Sequence, residues 1–180
     1  LAMAHPGVAF EAVCDDRSVL EFPPAQSPKD RAVAVLGKEV EGELLEVHAD
    51  QYDDARGAAL WGLVGKPSLA RATNKSQYVF VNGRPVRDRT VQHALGEAFR
   101  GLIEPSRYPT AVLMLDMSPE AVDVNVHPAK AEVRFRESSM VHSVVLNAVR
   151  RALRAADLTP SIPPSFSGRW ESASAPVVIG

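Results

Sequence analysis

The chain has 180 residues, of which 46% are hydrophobic and 23% are charged, and its formal net charge is -2. This composition is typical of one globular domain with a core of its own. The single cysteine, Cys14, excludes an internal disulfide, and no apolar run approaches the roughly 20 residues needed to span a bilayer.

The first third of the chain predicts four strands and a short helix. Segments 8–13 and 18–22 flank a polar turn, a pattern typical of a hairpin. Ser27 followed by Pro28 marks the start of a helix, and Gly37 marks its end. Segments 43–48 and 58–64 predict the next two strands, with residues 49–57 as a loop.

The middle of the chain predicts a strand, a helix and another strand. Segment 77–81 has apolar side chains on both faces, as a central strand would have, and Asn82-Gly83 predicts a tight turn after it. Asp88 can cap a helix that runs to about residue 100. Its predicted apolar face consists of Val91, Leu95, Ala98, Phe99 and Leu102. Segment 110–117 predicts the following strand.

The last structured part is predicted to contain two strands and a helix. Segments 122–126 and 131–135 alternate with a period of two, and Pro128 ends the first of them because it offers no N–H to a ladder. A helix is expected from Ser138 or Ser139 to about residue 155. This order of elements predicts an α+β fold, a two-layer sandwich with helices on one face of a mixed sheet.

The two ends of the chain indicate a piece of a longer protein. The first ten residues lack an initiator Met and the features of a signal peptide. Residues 159–180 are rich in Pro and Ser and show no periodicity. We therefore expect a domain at residues 1–156 and the beginning of an interdomain linker at residues 157–180.

The small net charge conceals a segregation of acidic and basic residues. Residues 1–65 contain 5 basic and 12 acidic residues, residues 66–100 contain 7 and 2, and residues 130–154 contain 6 and 2. Such segregation is compatible with an anion-binding surface, although charge runs taken alone are more often solvated surface.

Three arginines, Arg84, Arg87 and Arg89, follow the Asn82-Gly83 turn and lead into a helix N-terminus. Guanidinium groups beside a positive helix end suit phosphates. No aromatic residues alternate with them, so we expect contacts to the nucleic-acid backbone that are independent of sequence and sensitive to salt. In the alternative interpretation, Arg84 or Arg87 pairs with Asp88 or packs on the sheet.

The second candidate is Lys130, on a stiff connection between two predicted strands. A flexible ammonium group on a rigid base can meet an arriving phosphate. Asn125 and His127 share the polar face beside it, and Pro128 stiffens the connection. No Cys, His or carboxylate cluster accompanies His127, so we assign these three residues a structural role in the loop and predict no metal site.

The segments QYVFVNGRPVRDR (77–89) and NVHPAKAEVRF (125–135) resemble the MutL family of DNA mismatch-repair proteins. The resemblance covers residues 1 to about 155 and implies the family's second, transducer domain, which follows an ATPase domain. It implies the fold of the second domain of a small-subunit ribosomal protein, with a left-handed βαβ crossover. It also implies that Lys130 contacts the γ-phosphate of ATP in the upstream domain and that Arg89 belongs to a DNA-binding surface.

Cofactors and partners are likewise implied by the resemblance. ATP and Mg²⁺ are expected in the parent protein, an ATP hydrolase, and neither is expected in this chain alone. Implied partners are DNA, a MutS-like mismatch-recognition protein, the upstream ATPase domain and, in the full-length protein, a second copy. The implied location is the bacterial cytoplasm, in association with the nucleoid and without a membrane contact.

Two other functions remain open on the sequence. One is the transducer domain of a type II topoisomerase B subunit, whose lysine lies in a Gln-Thr-Lys loop; the nearest segment here is Thr73-Asn74-Lys75, which does not match. The other is a stand-alone nucleic-acid-binding module of the same fold, which would leave the VHPAK segment unexplained.

Overall fold

The structure is a computed structural model of the chain, and it describes residues 2–25, 27–51, 57–123 and 133–158. The elements in chain order are β1 (Phe10–Cys14), β2 (Arg17–Phe22), α1 (Pro28–Leu36), β3 (Leu44–Gln51), β4 (Ala58–Gly65), β5 (Gln77–Val81), β6 (Arg84–Val86), α2 (Arg89–Ala98), β7 (Ala111–Met117), β8 (Val122–Asp123), β9 (Arg134–Phe135) and α3 (Ser138–Ala155).

A five-stranded mixed sheet forms the centre of the fold, in the order β3-β4-β7-β5-β6. Strands β5 and β7 pair in parallel, and every other neighbouring pair in this sheet is antiparallel. Because two parallel strands cannot be joined by a tight turn, the chain crosses between them through β6 and α2. The predicted α+β fold with a mixed sheet is confirmed.

The two long helices cover one face of this sheet. Their buried side chains recur at spacings of three and four, so each helix presents one apolar stripe to the strands. The side chains that are completely buried on these stripes are Val91, Leu95, Phe99, Val141, Val145 and Val149. They pack with the odd-numbered residues of β7 in the main core, which confirms the predicted apolar face of α2.

The opposite face of the sheet is covered in part by α1 and the N-terminal residues. Leu63, Phe80 and Val112 point to this side and pack with Ala32 of α1 and with Met3. Ser27 caps α1 by accepting a hydrogen bond from the Asp30 N–H at 3.1 Å, as predicted. The prediction had placed helices on one face, and α1 extends this arrangement by adding partial cover on the other.

A buried arginine attaches the β1–β2 hairpin to α1. Arg31 is completely buried, and its guanidinium donates hydrogen bonds to the carbonyl oxygens of Pro6, Val8, Phe22 and Pro23. It also lies 5.7 Å from the centroids of the Phe10 and Phe22 rings. Because these acceptors lie before β1 and at the end of β2, one side chain holds both ends of the hairpin.

Strand β3 is longer than predicted, and two other predicted strands are described only in part. Strand β3 continues through Gln51, pairing with β4, whereas the loop had been predicted to begin at residue 49. Ala49 packs against the main core, which explains the longer strand. The predicted strands at 122–126 and 131–135 are confirmed where they are described, as the antiparallel pairs Val122–Phe135 and Asp123–Arg134.

The predicted linker lies, apart from residues 157 and 158, outside the described residues. No helix among those that are described is long and apolar enough to cross a membrane.

Candidate nucleic-acid interface

A tight turn determines where the three arginines leave the sheet. Asn82 and Gly83 have φ values of 49° and 77°, the left-handed region that this turn requires. The Asn82 side chain donates to the Met117 carbonyl at 3.0 Å and accepts from the Met117 N–H at 2.9 Å. The turn is thereby fixed to the end of β7, and β6 and the start of α2 follow from a rigid base.

The three arginines lie on consecutive parts of this path. Arg84 begins β6, Arg87 follows its last residue, and Arg89 is the first residue of α2. All three are exposed, and within the described part of the chain none makes a side-chain hydrogen bond or an ion pair. Three positive charges therefore stand in solvent within six residues.

Asp88 lies among these arginines and interacts with the helix instead. Its Oδ1 accepts a hydrogen bond from the Val91 N–H at 2.9 Å, which is the predicted N-cap. Burial raises the pKa of the Asp88 carboxyl above its usual value, although the hydrogen bond from Val91 opposes that change. The alternative interpretation, in which Arg84 or Arg87 pairs with Asp88 or packs on the sheet, is not supported. Both arginines are exposed, and the described residues include no ion pair to Asp88, whose half-buried carboxylate is bonded to the backbone.

An open groove of about 690 Å³ runs beside Arg87 and Arg89. Its walls come from the start of α2 and from the segment that leads through β9 into α3, and the lining residues are Arg87, Asp88, Arg89, Thr90, Gln92, Val133, Arg134, Phe135 and Ser138. Both α2 and α3 begin at this groove. The positive ends of two helix dipoles consequently face the same space as the arginines.

Arg134 is a groove residue that the sequence analysis did not select. It is exposed on β9 between the buried Val133 and Phe135, and its side chain has no hydrogen-bond or ion-pair partner in the described region. The alternation of apolar and charged residues predicted that it faces away from the core. The sequence gives no sign that this face borders the start of α2.

A neighbouring cleft of about 390 Å³ extends the basic surface past Arg87. Its lining includes Arg87 and the exposed Lys75, which lies on a short helical turn before β5. A phosphate backbone following the groove would thus meet further positive charge on this side.

Two of the three arginines near the end of α3 are engaged elsewhere. Arg150 lies 3.4 Å from Oε1 of Glu97, and Arg151 donates to the His48 carbonyl at 3.0 Å. They lie several turns from the start of α3, so the basic segment 130–154 does not form one continuous surface. Charge counts along the sequence did not distinguish these partnered arginines from the unpartnered Arg134.

The second predicted site does not fall within the part of the chain that the structure describes. Lys130, Asn125, His127 and Pro128 lie outside the described residues. The chain enters this segment from Asp123 and leaves it toward Arg134, and these two residues are paired across β8 and β9. The segment that carries Lys130 therefore begins and ends beside the groove.

Comparisons with known proteins give a consistent family. The sequence model of the family described as "DNA mismatch repair protein, C-terminal domain" matches residues 32–154. A DNA mismatch repair protein MutL from Neisseria meningitidis is 42% identical over 165 residues, which are 90% of this chain and 24% of that protein. A MutL from Thiobacillus denitrificans is 45% identical over 166 residues, 92% of this chain and 27% of the relative.

A solved structure supports the fold independently. A crystal structure described as the N-terminal domain of a DNA repair protein superposes with a TM-score of 0.70 at 18% identity, covering 90% of this chain and 52% of the other. At that identity the likeness shows the fold alone. The chain spans about a quarter of the length of the relatives it matches.

Proposed function

Because this chain belongs to the MutL family of DNA mismatch repair proteins, we propose that it is the transducer domain of such a protein. In this role it binds the DNA backbone and couples ATP binding and hydrolysis in an upstream ATPase domain to DNA contact and to signalling with a MutS-like protein. The domain would occupy residues 1–156, with residues 157–180 beginning a linker. In the full-length protein we propose a homodimer.

The groove at the start of α2 carries the DNA-binding part of the proposal. Arg84, Arg87 and Arg89 are exposed and have no partner in the described part of the chain. Arg134 lines the same groove as Arg87 and Arg89, whereas Arg84 lies on β6 outside that lining. A guanidinium without an internal partner keeps all its donors for phosphate oxygens. The lining offers little that could stack on bases, so the contacts would be to the backbone.

Coupling to ATP is assigned to Lys130. It lies four positions before Arg134, so covalent geometry alone limits the distance between the two Cα atoms to about 14 Å. We propose that its ammonium group bonds the γ-phosphate of ATP in the upstream domain and loses this bond after hydrolysis. Because the same segment begins and ends beside the DNA-binding groove, a displacement at Lys130 would be transmitted to that groove.

Charge reversal at Arg89 tests the DNA-binding proposal. In Arg89→Glu, affinity for duplex DNA should fall to a similar extent on unrelated sequences, and the slope of log affinity against log salt should become shallower by about 0.9. Fluorescence anisotropy at several salt concentrations measures both. The matched control is Arg100→Glu, an exposed arginine just beyond the other end of α2, which should leave the slope unchanged.

The outcomes separate three functions. An equal loss in both variants would indicate a general charge effect and contradict the groove, and a loss on some sequences only would indicate base recognition. If the 180-residue chain alone bound DNA as tightly as the full-length protein does with ATP, a stand-alone binding module would replace the transducer proposal.

Removal of the Lys130 ammonium tests the coupling in the full-length protein. Lys130→Ala should reduce ATP turnover at least about tenfold, since the variant loses the ammonium group that would stabilise negative charge on the transferred phosphoryl group. Lys38→Ala, an exposed lysine beside the opposite face of the sheet, is the control and should turn over ATP normally. Unchanged turnover in Lys130→Ala, with a native circular dichroism spectrum, would remove this assignment.

A further inference from the structure

Three potential metal ligands meet on the outer side of α2 and α3. His93 and Glu97 lie one helical turn apart on α2, and His142 lies on the facing turn of α3. The His93 Nδ1 lies 3.1 Å from the His142 Nε2, and this same nitrogen lies 3.4 Å from Oε2 of Glu97. The three ligand atoms all lie within 4.8 Å of one another.

These separations fit the coordination sphere of a small divalent ion. A tetrahedral ion with metal–nitrogen and metal–oxygen distances of about 2.0–2.1 Å separates neighbouring ligand atoms by about 3.3–3.4 Å. The distances from His142 Nε2 to the other two ligand atoms, 3.1 Å and 3.4 Å, lie within a few tenths of an ångström of that edge, and the third separation is at most 4.8 Å. Side-chain rotations alone could therefore close the site around an ion, with no change in the helix backbones.

The carboxylate is oriented by a neighbour outside the cluster. Arg150 Nη2 lies 3.4 Å from Oε1 of Glu97, whereas Oε2 faces His142. A ligand whose second oxygen is already held loses less freedom when it binds an ion. The Glu97 and His142 side chains are each 24% exposed and His93 is exposed, so an ion can enter from solvent.

We propose that His93, Glu97 and His142 form a binding site for a divalent transition-metal ion of the zinc class. Two imidazoles and one carboxylate suit Zn²⁺, Co²⁺ and Ni²⁺, whereas Mg²⁺ and Ca²⁺ prefer oxygen ligands throughout. The three protein ligands leave a fourth position for water or for a group of another molecule. The ion would connect the second turns of two helices whose first turns border the DNA-binding groove, and so would fix their spacing there.

The His-x-x-x-Glu spacing on α2 was visible in the sequence. His142 lies 45 residues after Glu97, and nothing in the sequence brings α3 beside α2 at this register. The alternative explanation is a shared hydrogen bond that binds no ion, in which the Nε2–H of His142 donates to both Nδ1 of His93 and Oε2 of Glu97.

Metal titration of the 180-residue chain distinguishes the two explanations. Co²⁺ should bind at one ion per chain with visible absorption bands, Zn²⁺ should abolish these bands, and millimolar Mg²⁺ should not. With free Zn²⁺ at about 100 times its Kd, the melting temperature should rise by about 5–10 °C. His142→Ala and Glu97→Gln should each weaken binding at least about tenfold.

His48→Ala is the matched control, because His48 is an exposed histidine on β3 outside the cluster. It should retain the stoichiometry, the absorption bands and the thermal shift. His93→Gln, at the most exposed ligand, provides a second variant if His142→Ala fails to fold. Absence of the cobalt bands, or equal binding in the control and cluster variants, would overturn the site and leave the shared hydrogen bond from His142.

Discussion

Two regions of this molecule use arginine in opposite ways. At the base of the β1–β2 hairpin, Arg31 is completely buried and surrounded by four carbonyl oxygens. Along β6 and at the start of α2, Arg84, Arg87 and Arg89 are exposed and have no partner in the described chain. Arg134, on the other wall of the groove, is likewise exposed and without a described partner. The same type of side chain joins backbone segments in the first region and exposes unpaired N–H donors to solvent in the second.

The difference follows from the cost of removing a charge from water. A buried guanidinium is tolerated when hydrogen bonds replace most of its hydration. The two terminal nitrogens of Arg31 obtain these bonds from neutral carbonyls, whereas its Nε is buried without a partner, and no described carboxylate forms an ion pair with it. Exposed arginines remain hydrated, so they need no internal partner and can exchange water for phosphate. A missing partner alone does not mark a binding surface, since Arg17, Arg100 and Arg136 are also exposed without one among the described residues. The candidate surface is marked by missing partners together with a place in the groove lining.

Replacement of Arg31 should have the largest effect on stability and no effect on DNA binding at the groove. Arg31→Met preserves much of the volume but removes the guanidinium donors from four carbonyl oxygens, of which that of Pro6 still accepts from the Ala25 N–H. The free energy of unfolding should therefore fall by about 3–5 kcal/mol. Urea unfolding followed by circular dichroism measures this change. DNA affinity of the folded protein, measured at low temperature, should stay within about twofold of wild type.

Arg17→Met is the control for the hairpin, because Arg17 is exposed on β2. It should change the unfolding free energy by less than about 0.5 kcal/mol. If Arg31→Met weakened DNA binding as much as Arg89→Glu, the division between a structural and a binding region would fail.

Replacement of Arg134 should have an intermediate effect on DNA affinity, and comparison with a neighbouring arginine tests where the groove ends. Arg134→Ala should weaken DNA binding by about three- to tenfold and make the salt slope shallower by about 0.9, as expected for one lost phosphate contact. Arg136→Ala, two residues along on the same segment but outside the groove lining, should have little effect. Similar losses in both variants would indicate that the whole β9 segment attracts DNA without a defined groove. Anisotropy titrations on one duplex are sufficient for this comparison.

Features that depend on neighbouring residues were predictable from the sequence. The caps at Ser27 and Asp88, the turn at Asn82-Gly83 and the apolar stripe of α2 were each predicted from adjacent residues, and each is confirmed. Such features are decided by local backbone sterics and by helical periodicity.

Features that depend on distant pairs were not predictable. The burial of Arg31 depends on carbonyls up to 25 residues away, and the cluster at Glu97 depends on a histidine from another helix. Arg134 was assigned correctly to a solvent-facing position, yet its place opposite Arg89 depends on how β9 leads into α3. No period in the sequence encodes these registers, so only the assembled fold identifies them.

Replacement of Asp88 should have the smallest effects. Two variants separate its role in capping α2 from the effect of its charge on DNA binding. Asp88→Ala removes the cap of α2 and should cost about 1 kcal/mol, whereas Asp88→Asn keeps a capping oxygen and should cost less than about 0.5 kcal/mol. Because the Asn variant also removes a negative charge from the groove, it should bind DNA about twofold more tightly. Weaker DNA binding in Asp88→Asn would contradict a purely structural role for this carboxylate.

The pH dependence of this variant follows from the direction of the Asp88 pKa. Burial raises that pKa in the folded protein, so folding favours the protonated form. The stabilising contribution is fully present below the unfolded pKa of about 3.9 and is lost as the pH rises through the folded pKa. Urea titrations of wild type and Asp88→Asn across this range should therefore show the Asn variant gaining relative stability as the pH rises. If the difference in unfolding free energy between the two proteins stayed constant with pH, the hydrogen bond from the Val91 N–H would cancel the effect of burial on the Asp88 pKa.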